Sequence, residues 1–128
     1  MWTRWTIVIV VLAGAFGAVA GSAQQTTEIY IPIGASPGLS GRHTSIGTVE
    51  AVNPTADTIT MTEGTGTRVI HCTTATKFWL DRSRRHLTNQ AGVLADCRAG
   101  SRIEVKYVGN DKSDAIAEWV KIEITGAN

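Results

Sequence analysis

The side chains equipped for covalent or metal chemistry are few: Cys72 and Cys97, and the histidines His43, His71 and His86. His43 falls in a Gly/Ser-rich stretch, His71 directly precedes Cys72, and His86 ends a polar run. No two histidines stand at the i,i+2 or i,i+4 spacing that brings neighbours onto one ion, and transition-metal sites use three or four ligands. No metal and no cofactor are expected. A Cys–His nucleophile would need an acid to orient the base, and none is placed by local spacing. Asp111 and Asp114 flank Lys112 with too few oxygens for an EF-type calcium loop, so they read as a solvated turn. The expectation is a protein that is not an enzyme, with a metal-dependent activity kept only as a residual third class.

One stretch interleaves aromatic and basic residues: Lys77-Phe-Trp-Leu-Asp-Arg-Ser-Arg-Arg-His86. Alternation turns Phe78 and Leu80 inward and leaves Trp79, Arg82, Arg84 and Arg85 as a candidate binding face, where a ring stacks and guanidinium groups donate hydrogen bonds. The plainer alternative is a core pair followed by solvated arginines.

Positioning that face requires strands. Ile46–Val52 is the first short β-run, and Asn53-Pro54 with Asp57 makes a turn. Thr58–Thr62 alternates strictly, with Ile59 and Met61 inward. Gly64 and Gly66 close a hairpin into Thr67–Thr73. Thr76–Leu80 is a further extended piece, followed by the polar stretch Asp81–Gln90. Ala91–Cys97 has room for one or two helical turns. Arg102–Val108 places Ile103, Val105 and Tyr107 on one face, and in Ala115–Thr125 the residues Val120, Ile122 and Ile124 oppose Trp119. Five to six short strands with one short helical insert predict an all-β, small OB-like barrel.

Ahead of this domain lie two other segments. Residues 1–23 have a charged start at Arg4, an apolar centre from Ile7 to Ala20 and the small residues Gly21-Ser22-Ala23. That is the pattern of a cleaved signal peptide, too short for a comfortable membrane span. The expected location is periplasmic or secreted. Residues 24–43 read as an extended N-terminal arm, with Ile29, Ile31 and Ile33 alternating and Pro32 keeping the segment out of a sheet interior. Residues 44–128 form the barrel domain.

Loss of the leader removes Arg4 and leaves 11 basic and 11 acidic side chains in about 105 residues, enough for one modest core. Such balance gives no basic stripe, so no nucleic-acid partner is expected. Two cysteines in an exported chain predict a Cys72–Cys97 disulfide, worth about 3 kcal/mol for a loop of this size.

The spacing Gly47-x-Val49-x-x-Val52, Ile59-x-Met61, Thr76-x-Phe78, Ala99-Gly100-x-x-Ile103-x-Val105 and Ala117-x-x-Val120-x-Ile122 resembles an uncharacterised bacterial family of small exported OB-like β-barrel domains. The match covers most of residues 46–124 and implies a bulged first strand, a glycine before the fourth and a small residue opening the fifth. It implies no activity. The chain is similar, more weakly, to exported bacterial OB-fold proteins of stress and envelope roles. The functional expectation is a binding module for an unknown envelope ligand, whether glycan, peptide or protein. The alternative is an assembly protein that uses the isoleucine arm for strand addition. Ligand identity and oligomeric state are not legible.

Overall fold

The computed structural model describes residues 28–125, so the expected leader at 1–23 lies outside the described residues. Seven strands run β1 Thr44–Asn53, β2 Thr58–Glu63, β3 Gly66–His71, β4 Lys77–Asp81, β5 Gln90–Ala91, β6 Arg102–Tyr107 and β7 Ala117–Glu123. They form one sheet in the order β3-β2-β1-β6-β7-β4-β5. Each long pairing is antiparallel except β4 with β7, which is parallel.

That parallel pairing closes the barrel. His71, at the end of β3, bridges Ile116 just before β7, and its N–H donates to the Ala115 carbonyl at 2.8 Å. β3 and β4 therefore act as one interrupted strand running along β7. Thr76 patches the interruption: its hydroxyl donates to the Ala117 carbonyl at 2.7 Å and accepts from the Thr73 N–H at 2.8 Å. A five-stranded closed path with a parallel closing pair is the OB-like arrangement that the element order predicts.

Alternation decides what fills the interior. Ile59, Met61, Ile70, Ile103, Val105, Tyr107, Val120 and Ile122 are all fully buried there. Phe78 and Leu80 pack against this core, as their alternation requires. β1 is bulged between Val49 and Ala51, where Gly100 donates to the Val49 carbonyl and Val49 to that of Ser101. At Gly47 the wall bends so tightly against β2 that a Cβ would lie 2.2 Å from the Thr62 carbonyl oxygen. Only glycine fits.

The short helical insert expected in Ala91–Cys97 is a single 3₁₀ turn at Leu94–Asp96, preceded by Gln90–Ala91, which pairs as a short strand with β4. Two expectations change. Residues 28–43 contain no strand despite the alternating isoleucines. Pro32 ends any extended pairing, and Ala35 donates to the Pro32 carbonyl while Ser40 donates to that of Ser36, so the arm coils into turns. The Cys72–Cys97 bond is not formed: both are free thiols. Core packing and backbone hydrogen bonds already hold the two segments, so the fold stands without it.

Candidate functional site

The central part of the outward face of β1, β6, β7 and β4 does not face water. Register places Ile46 beside Glu104, Glu104 beside Lys121, and Lys121 beside Trp79. Glu104 and Lys121 are both fully buried although they point away from the core. The arm covers them. Lys121 Nζ donates to Glu28 Oε2 at 2.8 Å and to Ser36 Oγ at 2.9 Å, and sits 4.6 Å from the centre of the Trp119 ring. Glu104 accepts from the Gly34 N–H at 3.1 Å, the Ser40 hydroxyl at 2.6 Å and the Thr44 hydroxyl at 2.9 Å. Asp81, also buried, accepts from the Ile33 N–H at 2.9 Å. Charges taken from water in this way need such partners. The arm supplies them.

At the border of the covered wall, β4 ends and the chain makes a tight turn. Asp81 Oδ1 accepts from the Ser83 N–H, and Asn89 Oδ1 accepts from the Arg82 N–H, each at 2.9 Å. These bonds start the 3₁₀ turn Ser83–Arg85, which His86 ends in a left-handed conformation, φ 55°. Arg82 Nε donates to the Thr88 carbonyl at 2.7 Å, which fixes one guanidinium against the loop. Arg84 Nε lies 3.3 Å from one oxygen of Glu123, and Arg102 Nη1 lies 3.2 Å from the other. The Glu123 side chain is only 9% exposed, while those of Arg84 and Arg102 are 64% and 46% exposed. One nearly buried carboxylate thus orients two open guanidinium groups. An exposed ion pair of this kind adds little to stability, so the arrangement is better read as orientation.

Of the arginines singled out from sequence, Arg84 therefore meets Arg102, which sequence reasoning missed, on the carboxylate of Glu123, while Arg82 and Arg85 lie in the same turn. The position of Arg102 follows from β6–β7 register, which pairs Ile103 with Ile122 and so sets Arg102 beside Glu123. Trp79 behaves differently. It is half-buried on the covered wall, a cross-strand neighbour of Lys121 and Ala91, and its indole N–H finds no acceptor among the described residues. It is not an open stacking platform.

The other candidates stay apart. His43, His71 and His86 are exposed at three separate places, and no group of three His, Cys, Asp or Glu among the described residues is arranged to hold a metal. Burial pushes the Cys72 thiol up to about 11, with the Asp57 carboxylate adding to the effect. Burial likewise pushes Cys97 up to about 12, helped by Cys72 and Asp96. Protonated thiols are poor nucleophiles at neutral pH.

No family model matches the chain, and no curated protein matches it. Among solved structures it is similar to Ag(I)-bound CusF, at 12% identity and TM-score 0.43 over 62% of this chain and 93% of that one. It is also similar to a Cu(II)-bound tryptophan-to-alanine variant of CusF from Escherichia coli, at 13% identity and TM-score 0.39 over 62% and 88%. Neither likeness bears on ligand or chemistry.

Proposed function

We propose that the chain is an exported, non-catalytic binding module whose ligand is acidic and meets the corner formed by Arg82, Arg84, Arg85 and Arg102. The observation that carries this reading is the shared carboxylate of Glu123, which orients the Arg84 and Arg102 guanidinium groups while leaving both largely open to solvent. Guanidinium groups held in a fixed plane bind carboxylate or sulfate oxygens by paired, charge-assisted hydrogen bonds. An acidic glycan, an acidic peptide segment or the acidic face of an envelope protein supplies such oxygens. Trp79 contributes by supporting the wall behind the turn rather than by stacking on ligand.

The alternative of strand addition through the isoleucine arm has less in its favour. Residues 28–43 fold back on their own barrel, and their hydrogen-bonding groups are engaged by Asp81, Glu104 and Lys121.

The test is titration of the protein with an acidic oligosaccharide and an acidic peptide, followed by amide NMR shifts. The expected result is saturable shifts confined to the 82–86 turn and its β6–β7 neighbours. Arg84→Ala together with Arg102→Ala should weaken binding at least about tenfold, as loss of a charge-assisted contact predicts, while Lys77→Ala should not. Shifts that ignore the double substitution would overturn the reading.

A further inference from the structure

We infer that the arm sets the arginine corner: docking of residues 28–43 through Asp81 holds the Ser83–Arg85 turn and Glu123 in their ligand-ready positions. Asp81 is a positioning residue that makes arm docking and acidic-ligand binding reinforce each other. The ligand half of this inference rests on the acidic-ligand reading given above.

Asp81 ends β4 and is only 2% exposed. Its carboxylate is divided between two elements. Oδ2 accepts from the Ile33 N–H of the arm, and Oδ1 accepts from the Ser83 N–H that begins the turn, each at 2.9 Å. Its main chain reaches a third element, because the Asp81 carbonyl accepts from the Ile124 N–H at 2.8 Å. In the parallel β4–β7 register Asp81 stands opposite Glu123, the carboxylate that orients Arg84 and Arg102. The arm meets the corner at a second point. A Cβ built on Gly34 would lie 3.9 Å from Arg102 Nη2, and the Gly34 N–H donates to Glu104, on the same strand as Arg102.

Two states are open to this assembly. Residues 28–43 hold on through hydrogen bonds to Asp81, Glu104 and Lys121 and through the buried Ile33, while their own main-chain bonds close local turns. Releasing such a segment breaks no strand ladder, so it opens at less than the cost of unfolding the barrel. Release strips Oδ2 of its donor and lets water reach a carboxylate that was buried. Once hydrated, that group is no longer confined to the geometry that receives Ser83, and the turn loses its first bond. It also leaves a poorly compensated negative charge beside Glu123, which repels an acidic ligand and competes for the arginines. A ligand that binds the ordered corner better than the loosened one therefore favours the docked arm, and docking raises its affinity by the same factor.

The experiment unlatches the arm away from the corner. Glu28 accepts from Lys121 and Ser36, and Ser40 donates to Glu104, so Glu28→Ala and the double variant Glu28→Ala/Ser40→Ala loosen the arm without altering Asp81 or the turn. Amide hydrogen exchange is followed by NMR in the folded protein, without and with an oligoglutamate peptide, and circular dichroism confirms that each variant is folded. In the double variant the amides of Ile33, Gly34 and Ser83 should exchange at least about fivefold faster than in wild type, the low end of allosteric couplings. The peptide should bind that variant, and Asp81→Asn, at least about fivefold more weakly, and at saturation it should slow exchange at Ile33 in wild type. The inference is overturned if Ile33 keeps its wild-type rate in the double variant, because the arm is then not held as described. It is overturned equally if Ile33 is freed while Ser83 is not, or if wild type and double variant bind the peptide alike. If Ser83 loosens together with Ile33 but wild type binds no peptide, the acidic-ligand reading fails by itself and the positioning role of Asp81 stands.

Discussion

Replacing Lys121 with methionine should unlatch the arm, and the cost follows from the contacts. The ammonium group is fully buried, bonded to Glu28 and Ser36 at 2.8 and 2.9 Å and seated over the Trp119 ring. Methionine keeps most of the aliphatic stem, so little cavity is created, and the loss is almost purely that of the charge. Breaking a fully buried pair by removing one partner costs about 3–5 kcal/mol. Here the stranded carboxylate, Glu28, has a side chain 16% exposed and can turn partly toward water. A cost at or just below the bottom of that range is therefore expected, about 2–3 kcal/mol. Glu28→Gln keeps an acceptor for the ammonium and should cost about 1 kcal/mol. The double variant should then fall short of additivity by about 1 kcal/mol, because both changes remove the same interaction. Urea unfolding followed by tryptophan fluorescence and circular dichroism measures all four corners of the cycle. If Lys121→Met changes stability by less than about 0.5 kcal/mol, the level typical of a surface substitution, the ammonium is solvated and the covered wall does not exist as described. A strictly additive cycle would mean that Glu28 is not its partner.

Two further outcomes follow from single contacts. Gly47→Ala must displace the Thr62 carbonyl and the Met61 side chain, 2.2 and 2.8 Å from the new methyl group, so it should cost about 2–3 kcal/mol; a melting temperature equal to wild type would show that β1 does not approach β2 this closely. In the reduced protein the thiols of Cys72 and Cys97 are raised from 9.0 to about 11 and about 12, mainly by burial, so the folded state holds these protons more tightly than the unfolded state. Their contribution is fully present below about pH 9 and declines from there through pH 11 to 12. Urea midpoints between pH 8 and 11 should fall more steeply for wild type than for Cys72→Ser/Cys97→Ser, and parallel curves would refute the burial of the thiols.

Much of the barrel is written locally. Strict alternation in Thr58–Thr62 and Arg102–Val108 puts Ile59, Met61, Ile103, Val105 and Tyr107 inside, and all five are fully buried. The same rule places Phe78 and Leu80 against the core. Alternation misleads in the arm, where Ile29, Ile31 and Ile33 share the period of a strand but Pro32 and the turn residues beyond it prevent pairing. Period alone does not make a strand when no edge is offered to it. Of the three isoleucines, only Ile33 is buried.

The functional corner divides in the same way. Arg82, Arg84 and Arg85 are adjacent in sequence, and any fold keeps them together. Arg102 and Glu123 join them only because β6 and β7 pair in one register and β7 and β4 in another, which no local pattern specifies. Glu104 and Lys121 carry the same lesson further. Read by alternation they are ordinary outward-facing charges, and the arm that covers them comes from much earlier in the chain. The arm that covers them holds its position largely through hydrogen bonds to side-chain charges rather than through a strand ladder. Its docking and the open arginines beside it thus depend on the same two outer strands, so a change in β6–β7 register would dismantle both at once.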